Sequence, residues 1–201
     1  MTGKNHIADE DHDLVSSCKK GETEAFEALV VKYQKKMYNV AYRMLGNYDD
    51  ASEVVQDAFV SAFKNMARFR EKSKFSTWLY TIVLNMSRNR LEHRKALRSH
   101  ESASIDDPIL TEEGQIRVEV AAPDPSPLQR LEQKDIQQKV QGCINSLDPE
   151  AKEAVILRDI QGFSYEEIRE MLNIPEGTVK SRLFRAREAL ADCLKRVIGE
   201  L

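Results

Sequence analysis

The sequence contains little of what marks an exported, disulfide-stapled or membrane-spanning protein. Its three cysteines, Cys18, Cys143 and Cys193, are scattered and form no CxxC pair, so we expect reduced thiols that pack on helix faces. No apolar run approaches the roughly 20 residues that cross a bilayer. The polar, acidic residues 1–13 do not resemble a signal peptide. We therefore expect a cytoplasmic protein.

Motifs for catalysis and cofactor binding are also missing. The 4 histidines lie in polar segments without the spacing of metal ligands. Neither a phosphate-binding glycine loop nor a nucleophile motif is present. The sequence predicts a protein that is not an enzyme and that uses no cofactor, metal or small-molecule substrate.

The charge of the chain is unevenly distributed. The formal net charge is -3, so the overall balance gives no sign of nucleic-acid binding. Residues 1–13 and 101–124 are acidic, whereas residues 88–98 and 180–187 concentrate arginine and lysine. A nucleic-acid interpretation depends on these two basic stretches.

Apolar residues recur at helical spacing in a first block of the chain, without a convincing strand pattern. They predict a short helix near residues 14–19 and a long helix that ends at Gly46. Asp49 or Asp50 can cap the next helix. A further helix starts at about Thr77.

A second helical block follows a segment of different character. Residues 99–127 gather prolines and acids without an apolar period, which is typical of a linker. Ser164 and Glu167 have the spacing of a capping box. A turn at 173–175 then leads into a last helix from about Glu176. We expect an all-α fold with two helical lobes, residues 13–98 and 128–201, joined by a flexible linker.

A short helix, a tight turn and a longer basic helix form the helix-turn-helix arrangement, whose second helix enters the major groove of DNA. With Val179 and Leu183 held inward, the opposite face can meet base edges and phosphates. Backbone amides at the helix start attract phosphate. On charge alone, a solvated helix face is an equally good interpretation. The candidate DNA-binding residues are Gly177, Thr178, Lys180, Ser181, Arg182, Phe184 and Arg185.

The last two helices read FSYEEIREMLNIPEGTVKSRLFRARE. This stretch closely resembles region four of the extracytoplasmic-function sigma factors of the sigma-70 superfamily, the part that reads the minus-thirty-five promoter element. The first lobe contains DDASEVVQDAFVSAFKNMARF and then KFSTWLYTIVLNMSRNRL, which resemble sigma region two. The two blocks stand in the family's order. The resemblance implies a subunit that binds core RNA polymerase and directs promoter-specific initiation, in an envelope or environmental stress response.

The resemblance also implies partners. They are the beta-prime clamp and beta flap of core RNA polymerase, promoter DNA, and an anti-sigma factor of the kind that is often membrane-anchored. In the family, the helix that carries Glu53, Gln56 and Asp57 docks on the clamp. Helix capping and the helix dipole explain Asp49 and Asp50 equally well, but they do not explain Gln56. The implied polymerase-binding residues are Asp49, Asp50, Glu53, Gln56 and Asp57.

The minus-ten site is implied on the loop 70–77 and the basic helix after it. Aromatic and basic groups stand together there, which suits unstacked single-stranded bases. Asn85 would receive a flipped base, and the following arginines would hold phosphates. Core packing explains Phe75 and Trp78 at least equally well. The implied minus-ten residues are Arg70, Lys72, Lys74, Ser76, Thr77, Trp78, Asn85, Arg88, Arg90 and Arg94.

Two other functions compete with this interpretation. A free-standing helix-turn-helix regulator would bind palindromic DNA as a dimer, but it needs only one DNA-reading lobe, and the sequence has no heptad series for a dimer interface. A helical adaptor that binds only protein would not need the basic recognition helix. The acidic linker fits either mimicry of nucleic acid in a basic channel or disorder in the free protein.

Overall fold

The computed structural model describes residues 9–101 and 127–199, with side chains for 9–97 and 131–199. Most of the predicted linker lies outside these ranges. The described residues form α-helices and no strand, which confirms the all-α prediction. The helices are α1 (His12–Lys19), α2 (Thr23–Leu45), α3 (Tyr48–Asn65), α4 (Phe75–Glu101), α5 (Pro127–Asn145), α6 (Pro149–Val155), α7 (Tyr165–Leu172) and α8 (Glu176–Ile198).

The first lobe packs α1 to α4 around the apolar stripe of α2. Leu29, Met37 and Met44 on that stripe are completely buried. Gly46 ends α2 in the left-handed region at φ 68°, as predicted. The positive φ favours glycine here, and a Cβ atom would also contact the end of the Asn145 side chain in α5, which would have to move.

Two helix starts differ from the prediction. The cap of α3 is Asn47 instead of Asp49 or Asp50, because its Oδ1 accepts the Asp50 amide at 2.9 Å. Helix α4 begins at Phe75 instead of Thr77. The Phe75 amide donates to Oδ2 of Asp9 at 2.7 Å, so an N-terminal residue distant in sequence satisfies the start of this helix.

The second lobe packs α5 to α8. A π-helical turn, Ile156–Ile160, continues α6, and Gly162 follows at φ 80°. The capping box is confirmed: the Glu167 amide donates to Ser164 Oγ at 3.2 Å, and the Ser164 amide donates to Glu167 Oε2 at 2.9 Å. Asn173 makes the predicted turn at φ 52°.

The two lobes pack against each other and share one apolar core. At their boundary, the ring of Tyr80 in α4 meets the ring of Phe163 edge-on, with centroids 4.7 Å apart. The Tyr80 hydroxyl donates to Gln161 Oε1 at 2.8 Å. Burial raises the pKa of Tyr80 to about 12, so the hydroxyl stays a neutral donor. The structure is therefore a closed conformer.

The cysteines correct the expectation of three reduced thiols. Cys143 in α5 and Cys193 in α8 form a disulfide with Cα atoms 5.7 Å apart and a sequence separation of 50. Sequence spacing could not reveal this pair, because the two residues meet only when α5 packs on α8. Cys18 remains a half-buried thiol, and burial raises its pKa. No described helix is long and apolar enough to cross a membrane.

Candidate nucleic-acid and polymerase interfaces

The start of α8 presents a polar face opposite a buried one. Val179 is 0% exposed and Leu183 is 1% exposed, so both are held in the core of the second lobe. Lys180, Ser181, Phe184 and Arg185 are exposed. Phe184 is 64% exposed beside these polar residues, so its ring is available for apolar contact with a ligand such as the methyl group of thymine.

Lys180 lies in a shallow depression of about 440 Å³ beside α7. Its Nζ pairs with Glu176 at 2.6 Å, and this ion pair raises the pKa of Lys180. The same Nζ lies 5.5 Å from the ring centroid of Tyr165, and the Arg158 guanidinium lies 4.8 Å from that centroid. Sequence reasoning missed Tyr165, because only the angle between α7 and α8 brings it beside the recognition face.

Three other predicted DNA-binding residues of α8 differ in how far they are available to DNA. Arg182 turns away from the exposed face: its side chain is 17% exposed and pairs with Glu150 at 2.6 Å. The Thr178 amide already donates to the Pro175 carbonyl at 2.9 Å, so it is not an open phosphate donor here. A Cβ atom at Gly177 would meet nothing within 4 Å, which leaves room for another molecule to approach the backbone.

Acids hold the three arginines of α4 whose side chains the structure describes, Arg88, Arg90 and Arg94. The Arg88 Nε and Nη2 atoms donate to Glu153 Oε1 of the second lobe at 2.9 and 2.7 Å. Arg94 pairs with Asp50 at 3.1 Å. Arg90 pairs with Asp50 at 3.0 Å and also with Glu53. Asp50 and Glu53 are predicted polymerase-binding residues, so ion pairs join the two predicted sites of the first lobe.

The loop before α4 is only partly available to a ligand. Arg70 and Lys72 are exposed, and Ser76 is half-buried. Lys74 pairs with Glu167 of the second lobe at 3.3 Å. Thr77 is 5% exposed, so its side chain belongs to the interior in this conformer.

The aromatic residues beside this loop divide between core and surface. Phe75 is completely buried, in agreement with its interpretation as a core residue. Trp78 is half-buried and stacks on Phe69 with ring centroids 4.7 Å apart. Asn85 lies farther along α4 and is exposed, and its Oδ1 accepts a hydrogen bond from Arg88 at 3.2 Å.

The outer face of α3 combines polar and apolar side chains. Glu53, Gln56 and Asp57 are exposed at helical spacing, and Asp49 is exposed one turn before them. Val60 is 45% exposed and Phe63 is 51% exposed on the same helix. The exposed face of α3 is therefore polar in its first part and apolar at its C-terminal end, and such a mixed surface suits contact with another protein.

Buried charges mark the boundary between the lobes. Glu153 is 1% exposed, and burial raises its pKa although Arg88 opposes the shift. Lys152 is 5% exposed, and its Nζ donates to the Met44 carbonyl at 3.2 Å. Burial lowers the pKa of Lys152. Buried charges are costly, so this boundary is less stable than an apolar interface of the same size.

Comparison with known proteins places the same two lobes in one family. The family model for Sigma-70 region 2 matches residues 29–97, and that for Sigma-70, region 4 matches residues 137–190. The RNA polymerase sigma-H factor of Pseudomonas aeruginosa is 32% identical over 96% of this chain and 97% of its own length. The ECF RNA polymerase sigma-E factor of Escherichia coli is 36% identical over 94% of this chain and 96% of its own length.

A solved structure has the same architecture. CnrH, in complex with the cytosolic domain of CnrY, superposes with a TM-score of 0.67 and is 25% identical, covering 94% of this chain and 99% of that chain.

Proposed function

The chain belongs to the extracytoplasmic-function sigma factors of RNA polymerase, and from this premise we propose that its two lobes divide the recognition of one promoter. As a sigma factor it directs core RNA polymerase to promoters, and RNA synthesis itself belongs to the polymerase. Residues 13–98 bind the polymerase and the minus-ten element. Residues 128–201 read the minus-thirty-five element, and residues 99–127 connect the two.

The exposed face of α8 is the observation that carries the assignment of the second lobe. Buried Val179 and Leu183 fix the rotation of the helix, and this rotation presents Lys180, Phe184 and Arg185 together. A planar guanidinium can bind guanine with two hydrogen bonds, whereas an ammonium mainly adds charge. Arg185 therefore reads bases, and Lys180 mainly contributes affinity.

The closed conformer has to open before both elements can be bound. Elements centred near positions minus ten and minus thirty-five are about 25 base pairs apart, or about 85 Å at roughly 3.4 Å per base pair. A compact chain of this length is only about 45 Å across. A fully extended segment of the length of residues 102–126 spans about 85 Å, so the linker is long enough for the separated lobes.

Opening releases part of the minus-ten site. Lys74 and Arg88 pair with Glu167 and Glu153 of the second lobe, so separation of the lobes frees both cations for DNA phosphates. The exposed Asn85 then receives a flipped base.

Polymerase binding releases the rest of the site. Docking of α3 on the clamp draws Asp50 and Glu53 toward the polymerase and away from Arg90 and Arg94. Core docking and DNA binding then strengthen each other, because the same ion pairs oppose both.

Control by an inhibitory protein is the remaining part of the proposal. The CnrH structure holds the cytosolic domain of CnrY. We expect this chain to bind an anti-sigma protein that keeps the lobes closed until an envelope or environmental stress removes it.

Reconstituted transcription tests the proposal. The purified chain is added to bacterial core polymerase, bound genomic fragments are selected, and RNA 5′ ends are mapped. We expect discrete starts that core polymerase alone does not give. Arg185→Ala should weaken this promoter selection. Arg196→Ala is its matched control, because Arg196 is an exposed arginine of α8 distant from the recognition face. The proposal is wrong if the chain neither binds core polymerase nor directs a discrete start.

A further inference from the structure

The last turn of α5 lies between two helices from different lobes. Its Gln141 and Asn145 share one face, which meets α2. The Arg43 Nη1 donates to Gln141 Oε1 at 2.9 Å, and Gln141 Nε2 donates to the Arg43 carbonyl at 3.2 Å. Asn145 packs on Gly46. Between them, Cys143 points to α8 and is bonded to Cys193.

The two sulfur atoms differ in accessibility. Cys143 is 1% exposed, whereas Cys193 near the end of α8 is half-buried. An oxidant or reductant in solution therefore reaches Cys193 first. Their 50-residue separation encloses α6, α7 and the recognition part of α8.

We propose that Cys143 and Cys193 form a reversible thiol–disulfide site that responds to low-molecular-weight disulfides of the glutathione class and favours the closed conformer when oxidised. The Cys193 thiolate attacks the small disulfide, forms a mixed disulfide and releases one small thiolate. The Cys143 thiolate then attacks the Cys193 sulfur and releases the second. Two protein thiols are oxidised to one disulfide, one small disulfide is reduced to two thiols, and the two cysteine protons go to the released thiolates.

The position of the bond explains why oxidation favours closure. The covalent bond holds the last turn of α5 against α8, and the same turn carries the contacts of Gln141 and Asn145 to α2. In the reduced protein α5 can move away from α8, and its contacts with α2 are lost more easily. We therefore expect the reduced protein to open more readily than the oxidised one.

The experiment uses the full chain in buffers of defined ratios of reduced to oxidised glutathione. Thiols are alkylated in denaturant and counted by mass. We expect all of the 3 cysteines to react in the reduced protein and Cys18 alone in the oxidised protein. We also expect oxidation to lower the radius of gyration and to raise the melting midpoint of the protein by roughly 10 °C.

Two variants separate this site from other effects. Cys18→Ser should keep both responses, and Cys143→Ser with Cys193→Ser should lose both. Comparison of the oxidised and reduced wild type keeps the test valid if the double variant does not fold. The proposal is overturned if three thiols react at every glutathione ratio, or if both forms give the same scattering curve. These readouts involve neither polymerase nor DNA, so their failure leaves the proposed function standing.

Discussion

Replacement of Arg88 by alanine is expected to open the two lobes. Arg88 donates two hydrogen bonds to Glu153, at 2.9 and 2.7 Å, and Glu153 is 1% exposed. Arg88→Ala leaves this buried carboxylate without the cation that donates hydrogen bonds to it, although Arg182 still acts on it at longer range. In the open conformer water solvates the carboxylate, so the variant destabilises only the closed form.

The size of the effect follows from the exposure of the pair. Removing one partner of a buried ion pair costs about 3–5 kcal/mol. The Arg88 side chain is 38% exposed, so solvent screens the pair and the lower end of that range applies. A cost of about 3 kcal/mol shifts the equilibrium roughly 100-fold toward the open conformer. Glu153→Gln keeps a hydrogen-bond acceptor for Arg88 and removes the buried charge, so it should not open the lobes and should shift the equilibrium at most about fivefold, toward the closed conformer.

Single-molecule energy transfer between dyes on α3 and α8 measures the open fraction. Lys95→Ala is the matched control, because it removes an exposed cation of the same helix. The double variant Arg88→Ala with Glu153→Gln should recover part of the closed population, since no charge is then buried unpaired. If Arg88→Ala opens the lobes no more than Lys95→Ala does, the ion pair does not hold them together.

Acid should favour the closed conformer through the same residue. Burial raises the pKa of Glu153 above its ordinary value of 4.5 in the closed form. The closed form thus takes up a proton before the open form does. Its advantage is present below the ordinary pKa and is lost as the pH rises through the raised one. In Glu153→Gln this pH dependence of the open fraction should disappear.

Three further predictions concern the proposed interfaces. Gln56→Ala with Asp57→Ala should weaken binding to core polymerase in a direct titration. Thermal stability should change little, because both side chains are exposed. Unchanged affinity for core polymerase would mean that α3 is not the docking helix. Asn85→Ala should impair strand opening in permanganate footprints but spare binding to minus-thirty-five duplex, and normal opening would contradict its role. Arg185→Ala should relax base preference by about 1–3 kcal/mol, whereas Lys180→Ala should lower affinity in a salt-dependent way. Selection from randomised sites at two salt concentrations distinguishes a loss of base preference from a loss of affinity. If both variants select the same sites with the same affinity as the wild type, the assigned face of α8 is wrong.

Local features of the fold were predictable from sequence because they depend on neighbouring residues. The capping box of Ser164 and Glu167 and the glycine end of α2 at Gly46 both need only a few positions of sequence. The buried Val179 and Leu183 followed from the helical period. The cap of α3 was misassigned because Asn47, Asp49 and Asp50 all have side chains that cap helices.

Contacts between distant parts of the chain could not be predicted in this way. A helical period shows that Tyr80 has a buried side, but it does not show that Phe163 covers it. The same limit applies to the cap that Asp9 provides for α4 and to the pair of Arg88 with Glu153. The basic residues of α4 were found from composition, whereas their pairing with acids depends on how the lobes pack.

A change in promoter spacing tests most directly whether the two lobes of one chain read two elements. We expect polymerase reconstituted with this chain to start at a discrete position on a selected promoter. Insertion of about five base pairs between the elements rotates one element by roughly half a helical turn relative to the other. We expect this insertion to abolish initiation although the second lobe still protects the upstream element. Initiation that is unchanged by the insertion would contradict the reading of two promoter elements by the two lobes.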